Sequence, residues 1–414
     1  MFIFVINGAG LHKIMNIVGI IAEYNPFHNG HKYHIDKIKQ TLDAYIVVIM
    51  SSNFAQRGEP CIADKFCISQ VAVECGVDLV LELPTPYSLS SAERFAFSAI
   101  NILNKLKVIN FLSFGVEADD ISVLFDIVKL IESDLFNKEL LANLKSGCSF
   151  PKARHMTLEK LAGSDVAQEI FKPNNILAIE YIKCLEKLNS DIKILPIKRF
   201  GAEHNCEHIL NENISSALNL RNILKIKGSI DYWKNFVPEK AFNIYKQSFN
   251  NLTMPALEIY GERAVLAKLR SLSAQDIKLV QDVSEGLENR ILRSIQNSTS
   301  LNDLCNNIKT KRYTMSRVKR IIYNLFLGIN LNYFEKEIEY VRILGSNKRG
   351  LEVISQIKNK TDIPIDNKLI KLSKKNKNAK KIADVELYAS NMYGLFCPKI
   401  SSVNVDLTHK FVVY

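Results

Sequence analysis

Residues 17–22, Ile-Val-Gly-Ile-Ile-Ala, are an apolar run of strand length that stops at Glu23-Tyr24-Asn25-Pro26-Phe27-His28-Asn29-Gly30-His31. A proline and a glycine within that stop break any regular element, so the chain must turn there. Beyond it, Lys32 to Lys39 set Ile35 and Ile38 three apart among polar residues, the spacing of an amphipathic helix. The same order then recurs. Ala44–Met50 reads as a buried strand leaving at Ser51-Ser52-Asn53, and Ala63–Cys75 has helical spacing ending at Gly76. Val77–Leu83 is a strand ended by Pro84, and Ser90 or Ser91 can cap a helix reaching about Leu106. Val108–Phe114 is a further strand, breaking at Gly115. Strands alternating with single helices imply an α/β fold built on a doubly wound parallel sheet. Ligands of such sheets bind beyond the carboxyl ends of the strands, where these loops converge.

The first of those loops carries chemistry. A strand, a glycine-containing turn and a helix N-terminus present free backbone N–H groups to an anion. His28 and His31, in an H-x-G-H array, can donate to phosphate oxygens, and Gly30 allows close approach of the backbone to a nucleotide. H-x-G-H after a first strand marks nucleotidyl transfer at an α-phosphate, with His28 and His31 as candidate catalytic residues. The structural alternative is that both histidines cap the helix and pack the turn.

The second half reads differently. Residues 120–190 are mainly helical with a break at Lys172-Pro173-Asn174-Asn175, and Ile192–Ile197 is a late strand. Asn213–Arg221 begins another helix, the strand signal fades from about 227, and a mixed segment surrounds Tyr340–Gly345. This suggests an N-terminal extension over 1–15, with Met1 or Met15 as the start, a nucleotide-binding catalytic domain over 16–226, and a mainly helical basic region over 227–414. With 54 Lys and Arg against 43 Asp and Glu, the formal charge is +11, which suits a polyanionic partner. Lys309, Lys311, Arg312, Arg317 and Arg320, interleaved with Thr310, Tyr313, Thr314 and Ser316, form a candidate RNA-binding cluster. Thr314 can start a helix bringing Arg317 and Arg320 close together. Lys368–Lys381 is a lysine-rich stretch that serves equally as a solvated surface. Eight cysteines without C-x-x-C point to reduced thiols and a cytoplasmic protein. Cys206, between His204 and His208, lacks a plausible fourth ligand, so no structural metal is expected. No apolar run reaches membrane-spanning length.

Segments along nearly the whole chain resemble the bacterial tRNA(Met) cytidine acetate ligases, within the H-x-G-H nucleotidyltransferase-like superfamily. They include Glu23–His31, Ser52–Pro60, Gly76–Pro84, Tyr87–Ala96, Phe114–Glu117, Asn174–Tyr181, Lys198-Arg199, Ser284–Glu288, Lys309–Thr314 and Val341–Gly345. The resemblance implies that ATP and acetate give acetyl-adenylate and pyrophosphate. The acetyl group then passes to N4 of the wobble cytidine of elongator tRNA(Met). It implies an ATP site over Ile21, Ala22, Glu23, Tyr24, Asn25, Pro26, Phe27, His28, Asn29, Gly30, His31, Lys32, Tyr33 and His34, with Gly115, Asn175 and Arg199. Mg²⁺ would accompany ATP, although the sequence offers no dedicated carboxylate cage. Ser216 and Arg221 match a phosphate motif of the form I-S-S-A-T-x-I-R, in which Leu218 replaces the threonine and removes one hydroxyl donor. A small-molecule adenylyltransferase, or a non-catalytic RNA-binding protein with a degenerate nucleotide fold, are the rival readings. Oligomeric state is left open by the sequence.

Overall fold

The computed structural model describes residues 15–199, 213–284 and 286–414. Residues 1–14 of the expected extension, and the His204, Cys206 and His208 group, lie outside the described residues. Seven strands form the main sheet: β1 (Asn16–Ala22), β2 (Ala44–Ser51), β3 (Leu79–Leu83), β4 (Phe111–Val116), β5 (Lys193–Lys198), β6 (Val341–Ser346) and β7 (Ile365–Asp366). Their spatial order is β5-β4-β1-β2-β3-β6-β7. The first five pair in parallel, as the alternation of strands and helices implies. The sheet is not wholly parallel, because β6 runs antiparallel to β3, with Leu79 opposite Ser346, and β7 runs parallel to β6.

Burial on both faces follows from the two-residue period of a strand. In β2, Ile46, Val48 and Met50 enter one core while Val47 and Ile49 enter the other. Helices α1 (Asn29–Thr41) and α2 (Lys65–Glu74) pack into the first core, α3 (Ala92–Lys105) and α4 (Pro173–Lys187) into the second. Local chemistry sets the helix ends. The Asp64 carboxylate accepts from the Phe66 and Cys67 amides to start α2, and Ser91 Oγ accepts from the Arg94 amide to start α3. Gly76, at φ 114°, takes the left-handed turn after α2 that a side chain would resist.

The helices of the second half of the chain include α5 (Ala217–Lys227), α6 (Met315–Leu327) and α7 (Lys377–Tyr393). A third core, between Ala256 and Ile329 with Val385–Cys397, contains most of the helical region. The boundary expected at 226/227 does not separate this region from the sheet. Trp233, Phe242 and Tyr245 share the core of α1 and α2, and β6 completes the sheet. At the junction lies a buried ionic cluster. Lys65 Nζ sits 2.6 Å from Glu82, 2.8 Å from Glu386 and 2.8 Å from Asp406, while Arg342 pairs with Asp406 and, at 3.5 Å, with Glu82. Two cations face three carboxylates, and burial followed by the Glu386 charge pushes the Glu82 carboxyl up to about 7.

Candidate active site

From β1 the chain adds β2 and β3 on one side, then crosses to place β4 and β5 on the other. The carboxyl ends of β1 and β4 therefore flank a topological switch point, where a crevice opens in sheets of this type. A cavity of about 980 Å³ lies there, lined by Ile20–Asn25, Phe114-Gly115 and Ile197–Arg199 together with residues from the helices around it.

The β1–α1 loop folds as a reciprocal cap. His28 Nδ1 accepts from the Gly30 amide at 3.0 Å, and the His28 amide donates to His31 Nδ1 at 3.2 Å. The two rings stack at 3.8 Å, 26° from parallel. Capping and catalysis, alternatives on sequence grounds, are here compatible. With Nδ1 accepting in both rings, each neutral imidazole carries its proton on Nε2, so the cap selects the donor tautomer. Both rings line the cavity. Gly30 is required by the His28 ring itself, since a Cβ there would fall 2.9 Å from Cε1 and 3.0 Å from Nδ1. Tyr24 holds a left-handed backbone at φ 52°, a conformation that costs on the order of 1 kcal/mol for such a residue. Its ring meets the edges of Phe27 and His31, each at 4.8 Å.

Distant residues pin this loop. The Phe27 amide donates to Tyr245 Oη at 2.9 Å, and the Asn29 amide to the Phe236 carbonyl at 2.9 Å. Asn29 Nδ2 reaches the carbonyls of Asn213 (2.8 Å) and Asn235 (2.9 Å), and the Ile62 amide donates to Asn25 Oδ1 at 2.7 Å. Glu23 accepts from the Gln56 amide at 2.5 Å, and burial pushes its carboxyl above the usual range despite that bond and Arg57 nearby.

A second helix N-terminus meets the cavity at α5. Ser216 Oγ caps it, accepting from the Asn219 amide at 3.1 Å, and Ser215 Oγ accepts from Asn219 Nδ2 at 2.9 Å. Leu218, at the motif's altered position, also lines the wall. Arg221, the other residue of the expected phosphate motif, also lines the cavity. Nη1 donates to the Asn25 carbonyl at 2.7 Å and Nη2 pairs with Glu59 at 2.7 Å, so this guanidinium braces the loop.

On the β4 side, the absence of a side chain at Gly115 makes room for Arg199, whose Cγ would stand 3.1 Å from an added Cβ. Arg199 Nη1 donates to Asn174 Oδ1 at 3.1 Å, and burial lowers its pKa although Glu117 opposes this. Asn175 is fully buried: its Oδ1 accepts from the Glu117 amide at 2.9 Å and its Nδ2 donates to Glu169 at 2.6 Å. The residue on the cavity wall is its neighbour Asn174. His34 Nε2 lies 2.8 Å from Ser113 Oγ, and burial, then Arg199, push its pKa down to about 4.

Of the expected ATP-site residues, Ile21 to Asn25, His28, Gly30, His31, Tyr33, His34, Gly115 and Arg199 come together on the wall. Pro26, Phe27, Asn29, Lys32 and Asn175 stand behind it. Phe27 fills the core, Asn29 spends its amide on the carbonyls of Asn213 and Asn235, and Lys32 pairs with Asp36 one turn along α1. The wall also includes residues no motif announced. Arg154 and Lys183 pair with Glu180 at 3.4 and 2.8 Å, and Lys183 with Glu93 at 2.8 Å. Their only sequence signal was the i,i+3 spacing of Glu180 and Lys183 on one helix.

The basic cluster divides. Lys309, Lys311 and Arg312 are exposed. Thr314 caps α6 as expected, accepting from the Arg317 amide at 3.4 Å. Arg317 donates to the Asp282 carbonyl (3.1 and 2.5 Å) and lies over the Tyr313 ring. Arg320 is no surface cation: it is 9% exposed, approaches the Asp282 carboxylate at 3.4 Å, and lines the cavity with Thr314 and Ser316.

The profile of the HIGH Nucleotidyl Transferase family matches residues 15–406. The chain belongs to the HIGH nucleotidyl transferase family. Its relatives include the tRNA(Met) cytidine acetate ligase of Thermosipho africanus, 37% identical over 94% of this chain and 96% of the relative. That of Clostridium botulinum (strain Okra / Type B1) is 41% identical over 92% of this chain and 94% of the relative. Thermotoga maritima TmcAL in its apo form superposes with a TM-score of 0.90 at 30% identity, covering 96% of this chain and all of that one, 100%. The crystal structure of the same protein with alpha-thio ATP gives 0.89 at 30% identity, covering 97% and 100%. For this member of the family, the H-x-G-H pair and its stacked, mutually capped geometry thus belong to a fold solved with an ATP analogue.

Proposed function

We propose that this protein is an ATP-dependent tRNA-modifying ligase that activates acetate as acetyl-adenylate. It then transfers the acetyl group to N4 of the wobble cytidine of elongator tRNA(Met). The observation that carries the reading is the stacked His28–His31 pair at the switch point, in a chain whose relatives over nearly full length are tRNA(Met) cytidine acetate ligases. Acetate is a weak nucleophile and pyrophosphate a highly charged leaving group, so catalysis rests on alignment and charge stabilisation. In this scheme the Nε2 protons of His28 and His31 donate to the α-phosphoryl oxygens and the leaving group. The N-terminus of α5 adds backbone donors, and Arg199, beside Gly115, supplies a cation. Asn174 holds that guanidinium, while Asn175 and Arg221 act as positioning residues.

Mg²⁺ would accompany ATP in this scheme and supply charge neutralisation. Among the described residues no group of three or more His, Cys, Asp or Glu could hold a metal ion. Exposed Lys309, Lys311 and Arg312 would track the RNA backbone. Among the described residues no helix is long and apolar enough to cross a membrane. The proposed RNA substrate assigns the protein to the cytoplasm. The test is incubation with ATP, labelled acetate and bulk bacterial tRNA, followed by nucleoside analysis. ATP-dependent label in N4-acetylcytidine is the expected result. No label in RNA and no acetate-dependent pyrophosphate release would replace this reading with a small-molecule adenylyltransferase.

A further inference from the structure

Between β4 and β5 the chain adds helices that form part of the cavity wall. Phe150 begins one of them, Phe150–Ala162, and Phe171 ends the turn Glu169–Phe171 that leads into α4. Both phenylalanines line the cavity, yet they are 51% and 53% exposed. No other phenylalanine among the described residues is exposed. Two large apolar rings left half in water on one cavity wall are not explained by core packing, and such surface marks a binding site. Resting on the ligase function proposed for this site, we infer that Phe150 and Phe171 are the stacking platform for the acceptor cytosine, swung out of the anticodon loop, with Arg154 and Glu180 set against its polar edge.

The local geometry groups these residues. Phe150 and Arg154 are four apart on one helix face. Arg154 Nη1 stands 3.4 Å from Glu180 Oε1 on α4, and Lys183 Nζ lies 2.8 Å from Glu180 Oε2. The Phe171 ring rests against His155 at 4.2 Å and 32°, so the imidazole steadies it. Arg154, Glu180 and Lys183 line the cavity together with apolar Ile131, Phe136 and Leu140. An apolar wall with a few convergent polar groups is the make-up of a pocket for a flat heterocycle.

A nucleobase fits both halves of that chemistry. Its π face stacks on aromatic rings, as bases splayed from single-stranded loops do. Its edge selects cytosine, whose N4 amino group donates to a carboxylate while N3 and O2 accept from a guanidinium. Uracil would turn O4 against Glu180, and an acyl chain would bury these charged groups without offering them a partner. An in-plane hydrogen bond from N4 to Glu180 leaves the face of N4 open to the acetyl carbonyl. In the proposed scheme the nucleotide takes the H-x-G-H loop, Gly115 and Arg199, and the second step requires a place for the base in the same cavity.

The double variant Phe150→Leu/Phe171→Leu keeps apolar bulk at two exposed positions and removes both π faces, so it should melt with the parent. Its acetate-dependent ATP–pyrophosphate exchange and its KM for ATP should stay within about twofold, while tRNA(Met) binds about tenfold more weakly. With tRNA(Met) carrying an abasic nucleotide at the wobble position, parent and variant should bind alike. Unchanged affinity for intact tRNA(Met) overturns the platform. An equal loss on the abasic RNA overturns its assignment to the acceptor base, and a raised KM for ATP overturns it in favour of adenine. Phe171→Trp gives a reading independent of folding losses in the leucine pair. The chain's one tryptophan, Trp233, is buried, so fluorescence of the exposed new indole should be quenched by tRNA(Met) and not by ATP. Absence of that quenching also overturns the platform. A parent protein that binds tRNA(Met) but shows no acetate-dependent exchange would instead remove the proposed function, with the binding comparison still deciding the platform.

Discussion

Gly30→Ala separates the two duties of the H-x-G-H loop, because its effects on stability and on chemistry have different origins. The added Cβ would lie 2.9 Å from His28 Cε1 and 3.0 Å from Nδ1, whereas carbon atoms in contact prefer about 3.5–4.0 Å. The ring must therefore move by about 0.5–1 Å, away from the Gly30 amide it now accepts from at 3.0 Å. Losing that cap costs about 1 kcal/mol. Alanine regains about 0.8–1 kcal/mol over glycine within a helix, so the two nearly cancel. Urea unfolding should place the variant within about 1 kcal/mol of the parent. Chemistry has no such offset: displacing a donor by that distance from the reacting phosphate should lower acetate-dependent ATP–pyrophosphate exchange about 100-fold. Exchange within about threefold of the parent would refute a catalytic role for the His28 position. A stability loss above about 3 kcal/mol would refute the cancellation.

His28→Asn should keep the cap, because an asparagine oxygen also accepts from the first-turn amides, yet lose exchange; His28→Ala should lose both, with about 1 kcal/mol of stability. Full exchange in His28→Asn would reduce His28 to a capping residue. His34 gives a signed pH dependence, since burial holds its pKa at about 4 against 6.5 when unperturbed. Its effect on stability is flat above pH 6.5, and as pH falls from 6.5 towards 4 the unfolded chain takes up a proton the native state refuses. That limb is worth about 3 kcal/mol in all, so urea midpoints of His34→Asn should fall less steeply with acid than those of the parent, and parallel curves would contradict the assignment. Lys65→Met leaves Glu82, Glu386 and Asp406 against Arg342 alone, and should cost about 3–5 kcal/mol in guanidinium unfolding. A loss under about 1 kcal/mol would mean that this cluster does not tie α7 to the sheet.

What could be read from the sequence was what local chemistry determines. Ser91 and Thr314 cap helices because their hydroxyls reach the amide three residues on, and β1 to β5 are visible as apolar runs, although β4 continues through the expected break at Gly115 to Val116 and β5 carries Pro196 within it. β6 was not legible as part of the sheet. Its partner Leu79 is far off in the chain, and Arg342 in its middle is tolerable in a buried strand because Asp406 and Glu82 meet it. The site shows the same divide. The H-x-G-H loop is one contiguous segment, so its chemistry could be read directly. Asn174 and Asn175 could not be told apart, since adjacent residues in the first turn of a helix face different ways. Nor could the destinations of Arg221 and Arg320, whose guanidinium groups are claimed by Glu59 and Asp282 from distant segments.

Those distant contacts explain why the nucleotide loop and the helical half cannot be treated as separate devices. Phe27 and Asn29 are fixed by Tyr245, Asn235 and Phe236, all beyond α5, while α6 and its cap supply Thr314, Ser316 and Arg320 to the cavity that the histidines line. In the proposed reaction the first step makes an acyl-adenylate, an intermediate that water would destroy. A site assembled by both halves lets the second substrate reach that intermediate in the cavity where it formed, with bulk water displaced by the RNA itself. The stability of the fold and the order of the chemistry thus depend on the same interface. Substitutions that loosen α6 without touching His28 or His31 should therefore uncouple acetate activation from transfer, consuming ATP without acetylating RNA.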